Sequence, residues 1–196
     1  MDLDRVGAHD PDRASGARQA AVLAPVLYRD EIPHLLFTKR ADHLGEHPGQ
    51  MAFPGGSREP SDGSLWETAI REAGEEIGLR ATEPECVGQL DDIRTVTEYS
   101  VSPFVARVPN RGYVPDQREV AEIAVLPVPG FVEPANYEVE QREHPKHGEL
   151  IVHFFHVGGY TVWGATARMV VQLLELTTDW RAPDRVDRVV DPDQEW

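Results

Sequence analysis

Three glutamates crowd one helical turn in Arg71-Glu72-Ala73-Gly74-Glu75-Glu76-Ile77-Gly78-Leu79, and the turn stops at a glycine. At about 3.6 residues per turn, Glu72, Glu75 and Glu76 share one face of a helix. Leu65, Trp66, Ala69, Ile70, Ala73 and Ile77 recur mostly at three- and four-residue spacing, the period of an apolar stripe that packs on a core. Asp62 or Ser64 is the expected N-cap and Gly78 the expected C-cap, which predicts a helix over 64–77. The acidic turn lies near the C-terminal end, where it opposes the helix dipole, and its like charges repel one another. A divalent cation with a taste for oxygen ligands, Mg²⁺ or Mn²⁺, would offset both effects. Taken alone, the cluster also reads as a solvated acidic face.

The flanking segments supply the rest of the fold class. Phe53-Pro54-Gly55-Gly56 marks a tight turn with a close backbone approach. Strands are expected over 20–27, 35–40, 51–53, 86–90, 101–108 and 120–126, a hairpin over 138–142 and 151–157, and a second helix over 166–176. Many strands with two dependable helices predict an α/β protein, a mixed sheet packed between helices. Residues 1–18 read as a flexible arm, 19–180 as the folded domain and 181–196 as a peripheral segment. A chain of 196 residues, 40% hydrophobic, suits one domain with a real core. Its net charge of -15 argues against nucleic acid or anionic membranes as partners, and no apolar run approaches the roughly 20 residues that span a bilayer. Cys86 is the only cysteine, so no internal disulfide forms and a cytoplasmic location is the default. A homodimer stays open.

Taken together, these segments resemble the Nudix hydrolases. The family signature ends in Arg-Glu, an apolar residue, any residue, Glu-Glu, any residue, Gly and an apolar residue, and Arg71 to Leu79 matches it with Ala73 at the first apolar position. Its upstream glycine and glutamate align with Gly56 and Asp62 only when one extra residue is allowed before Arg71. That longer spacing looks like the coenzyme A pyrophosphatase branch. So do Leu35-Leu36, Lys39-Arg40, Leu44, His47, Gly49-Gln50 and Phe53-Pro54-Gly55-Gly56, and later Trp163-Gly164-Ala165-Thr166-Ala167. The resemblance covers about residues 20–176.

The resemblance implies an alpha/beta/alpha sandwich that hydrolyses a small nucleotide-type substrate at a diphosphate. Glu72 and Glu76 match the family's metal-binding glutamates, Glu75 adds a carboxylate, and Gly56 offers a backbone ligand. Arg71 is expected to pair with a glutamate and fix its rotamer. Arg40, His47 and Gly55 are the expected substrate contacts. Glu119 and Glu122, after the polar loop Tyr113 to Arg118, are candidates for a downstream base. His153, His156 and Trp163 read as structural. Coenzyme A or a derivative is the leading substrate, ADP-ribose or another nucleoside diphosphate derivative the alternative. A non-catalytic nucleotide sensor is the third reading.

Overall fold

The computed structural model describes residues 1–14, 18–43, 49–95, 98–144 and 148–190. In chain order the elements are α1 (Asp4–Gly7), β1 (Arg18–Arg29), β2 (Ile32–Arg40), β3 (Met51–Ala52), β4 (Gly55–Ser57), α2 (Leu65–Ile77), β5 (Glu85–Gln89), β6 (Ile93–Arg94), β7 (Tyr99–Arg107) and β8 (Val120–Pro127). They continue as α3 (Val128–Val132), β9 (Tyr137–His144), β10 (Gly148–Val157), β11 (Tyr160–Trp163), α4 (Gly164–Thr177) and β12 (Arg188–Val190).

β1 is the spine. It pairs antiparallel with β2 and β4 and parallel with β7, so the large sheet is mixed. Side chains alternate along a strand, and β1 is apolar on both faces. Ala21, Leu23 and Leu27 pack with Ala69, Ile70, Ala73 and Ile77 of α2. Ala20, Ala24 and Val26 join the opposite cluster, with Val170, Leu173 and Leu174 of α4. The two helices therefore cover opposite faces, the layering expected of an alpha/beta/alpha sandwich. A second sheet, in the order β11-β10-β9-β12, stands beside it. Tyr137, Val139, Phe155 and Val157 of this second sheet enter the same apolar cluster as α4.

The N-terminal segment corrects an expectation. Residues 1–14 do not hang free: Leu3 and Val6 are 2% and 1% exposed, and α1 packs against β5 and α4. A Cβ on Gly88 would stand 2.6 Å from the Val6 carbonyl oxygen, so β5 is shaped to receive the arm. Polar contacts complete the seat. His9 Nε2 lies 2.7 Å from Asp91 Oδ1, and the backbone N–H groups of Asp12 and Ala14 donate to Asp91 and Asp92. Among the described residues, no helix is long and apolar enough to cross a membrane.

Candidate active site

The site grows from the way α2 is started, stopped and seated. Ser64 caps the helix by accepting from the Glu67 N–H at 3.2 Å, and Glu67 in turn accepts from the Gly63 N–H at 2.9 Å. Gly78 stops it with a left-handed φ of 65°, a conformation glycine adopts without strain. With the apolar stripe committed to β1, the glutamates flank β4. There a side chain at Gly55 would collide with the β1 backbone, and one at Gly56 would displace the Glu72 carboxylate. A Cβ on Gly55 would lie 2.6 Å from the Val22 Cα, and one on Gly56 would lie 2.6 Å from the Glu72 Cδ.

These elements enclose a cleft of about 460 Å³. Arg40, Gly55, Gly56, Arg71, Glu72, Glu75, Glu76 and Glu119 all line it, so most of the residues singled out from sequence converge. Asp116 and Arg118 line it too; sequence reasoning placed them only in a polar loop, and no periodic signal marks them. His47 lies outside the described residues. Glu122 is a correction. In β8, Ile123 and Val125 pack on the α2 side while Ala124 and Leu126 belong to the opposite cluster. Strand alternation sends Glu122 to that opposite side, where it accepts from the Tyr160 hydroxyl. His153, within 2.7 Å of the Tyr137 hydroxyl, and Trp163, stacked on Phe154, make contacts outside the cleft lining.

Arg71 ties the cleft wall together. Its Nε and Nη2 form a fork on Asp62 at 3.0 and 3.1 Å, Nη2 also donates to the Ser57 carbonyl, and Nη1 donates to Glu72 at 3.0 Å and to Glu75 at 3.3 Å. The guanidinium, helped by the Glu59 N–H, holds the Asp62 carboxyl far below the usual carboxylate range. Asp62, also bonded by the Thr68 hydroxyl, is thereby the anchor of the 57–62 loop.

The deeper carboxylates are perturbed in the other direction. Burial raises the pKa of Glu72, opposed by Arg71. Burial, then the charge of Glu72, pushes Glu76 up to about 8 against a hydrogen bond from the Gly55 N–H and the attraction of Arg40. Glu119 adds to the repulsion at both. Its loop is fastened to the end of α2: the Val114 and Asp116 N–H groups donate to the carbonyls of Ile77 and Glu76 at 3.2 and 2.9 Å.

The Oε2 of Glu76 is buried and has no hydrogen-bond partner among the described residues. Burying an anionic oxygen without a partner is costly, and a cation is the partner that suits it. Among the described residues no three acidic, histidine or cysteine side chains converge tightly enough to grip a metal ion by themselves. The donor set that fits is therefore mixed, two carboxylates with the glycine backbone beside them.

The NUDIX domain profile matches residues 17–157. The "uncharacterized Nudix hydrolase NudL" of Enterobacter sp. (strain 638) is 38% identical over 160 residues, 80% of this chain and 81% of its own. Its counterpart in Yersinia pestis (strain Pestoides F) is 36% identical over 176 residues, 88% of this chain and 86% of its own. Among solved structures, a MutT/nudix family protein from Enterococcus faecalis superposes with a TM-score of 0.52 at 12% identity, over 86% of this chain and 64% of that one. The last likeness concerns the fold alone.

Proposed function

The chain belongs to the Nudix domain family, and on that premise we propose that it hydrolyses the diphosphate of coenzyme A or a derivative, giving 3',5'-ADP and a 4'-phosphopantetheine compound. Hydrolysis of a nucleoside diphosphate derivative is the activity that membership supports. The observation that carries the reading is the cleft, which half-buried Glu72 and Glu76 line together with Arg40 and the Gly55-Gly56 backbone. The branch-like motifs from Leu35 to Gly56 and from Trp163 to Ala167 favour coenzyme A within that class.

In this reading Glu72, Glu76 and the Gly56 carbonyl hold Mg²⁺ or Mn²⁺, with Glu75 at the rim as a further carboxylate. When bound, the metal neutralises charge that develops on the diphosphate oxygens. Arg71 positions Glu72 through the bond already described. Arg40 and the Gly55 backbone bind a substrate phosphate. Glu119 faces the cleft and takes the proton of the attacking water. Retention of all three glutamates favours an enzyme over a sensor.

The test is metal-dependent turnover of coenzyme A, ADP-ribose, NADH and a nucleoside triphosphate, with and without excess EDTA. Coenzyme A is expected to show the highest kcat/KM, with no turnover in EDTA. Arg40→Ala should lower kcat/KM about tenfold or more, the scale of one charged hydrogen bond. A preference for ADP-ribose would select the alternative substrate, and no hydrolysis of any of the four would sink the enzymatic reading.

A further inference from the structure

We propose that Asp116 is a positioning residue for the reaction: its side chain shapes the turn that aims Glu119 into the cleft beside the α2 glutamates. This deepens the reading above and rests on Glu119 as the group that takes the proton from water.

Asp116 stands between the two walls of the cleft. Its N–H donates to the Glu76 carbonyl at 2.9 Å, and its own carbonyl accepts from the Glu119 and Val120 N–H groups at 3.0 and 2.8 Å. One residue therefore links the backbone of a proposed metal-holding glutamate to that of the proposed base. The Asp116 carboxylate completes the turn. Its Oδ1 accepts from the Arg118 N–H at 3.1 Å, the bond to an amide two residues on that closes an Asx turn. On the other side, the Ala41 N–H donates to the Glu119 carbonyl at 2.9 Å. The β2–β8 register shifts at the same place: Lys39 pairs with Glu122, but Arg40 with Val120. Such an irregularity re-aims neighbouring side chains, and here it directly follows Glu119.

Other roles for Asp116 fit less well. The Arg118 guanidinium forks onto its carboxylate at 2.7 to 3.1 Å, but that arginine is 87% exposed, and exposed ion pairs contribute little. Among the described residues no three acidic, histidine or cysteine side chains converge to grip a metal ion, so Asp116 does not join Glu72 and Glu76 as a third carboxylate ligand. What remains is geometry. A general base works only within hydrogen-bond reach of the proton it removes, and a misplacement of about 1 Å can cost about 100-fold in rate.

Two variants separate shape from charge. Asp116→Ala abolishes the Asx bond, whereas Asp116→Asn keeps an acceptor oxygen and loses the charge. Asp116→Ala should lower kcat for coenzyme A about tenfold or more, with KM within about twofold of wild type. Asp116→Asn should restore kcat to within about threefold. The half-activating Mg²⁺ concentration should move less than about twofold in either. In a Glu119→Gln background, Asp116→Ala should cost less than about twofold further, because it acts through that side chain. By NMR on chelated protein without substrate, the Glu119 and Val120 amides should exchange about tenfold faster in Asp116→Ala and near the wild-type rate in Asp116→Asn. An Asn variant as slow as Ala, with a raised Mg²⁺ requirement, would make Asp116 a charged ligand and overturn the proposal. Fully additive losses in the Asp116→Ala, Glu119→Gln double variant would do so too, as would unchanged amide exchange in Asp116→Ala. Wild-type protein that hydrolyses no diphosphate, or full turnover by Glu119→Gln, would instead remove the reading beneath it, while the exchange rates still report whether the Asp116 side chain holds the turn.

Discussion

Glu76 holds one buried oxygen on the last turn of α2 that has no hydrogen-bond partner among the described residues, and its pKa, lifted by burial to about 8, has a consequence for stability. A carboxyl whose folded pKa exceeds its unfolded value favours the fold fully at pH below the unfolded pKa, and that contribution is lost as pH rises through the folded value. The window here runs from about 4.5 to about 8. In EDTA, wild type should therefore lose on the order of a few kcal/mol relative to Glu76→Gln by pH 8. The variant should melt several degrees higher there, with the gap closing toward pH 4.5. Saturating Mg²⁺ should raise the wild-type midpoint at pH 8 and leave the variant nearly unmoved. A wild type that outlasts the variant at pH 8 in EDTA would refute the assignment of Glu76 as a buried, frustrated carboxylate. At this scale the sequence was most legible where spacing is local: Glu72, Glu75, Glu76 and Arg71 sit on one helix. Asp116 and Arg118 were hidden because a loop brings them in, and the loop's course depends on bonds to the α2 carbonyls. Glu122 misled because a neighbouring position in a strand points to the opposite face.

Helix α2 matches its expected limits to within a residue because its caps and its stripe lie within the segment itself. The long strands were legible for the same reason. Among the short elements, β3 falls within the strand expected over 51–53, but others were not legible. α1, β6 and β12 draw their stability from partners far along the chain, and Leu3 and Val6 alone make no periodic run. β4 was read as a turn; its glycines permit a backbone approach that lets it pair with β1. The seating of α1 makes a measurable claim. Val6→Ala removes two buried methyl groups and should cost about 2 kcal/mol. For a chain of this size that lowers the melting midpoint by about 4–8 °C. A midpoint within 1 °C of wild type, by thermal denaturation monitored by circular dichroism, would return residues 1–14 to the flexible arm first expected.

The whole molecule carries -15, yet its cleft presents Arg40 and Arg118 among the glutamates. An anionic substrate is thus pushed away at a distance and held at contact. These two forces have different ranges. Repulsion from the overall charge reaches about 30 Å in 10 mM salt and only about 8 Å at physiological ionic strength, whereas a guanidinium–phosphate contact at the cleft wall is screened far less. Adding salt should first ease the approach and only later loosen the grip. At fixed Mg²⁺, kcat/KM should climb between 10 and roughly 150 mM KCl and decline toward 1 M. A steady fall from the lowest salt onward would mean that the local field of the arginines outweighs the whole at every distance. If the curve does pass through a maximum, the position of that maximum reports the distance at which an incoming anion ceases to sense the acidic bulk and begins to sense the cleft.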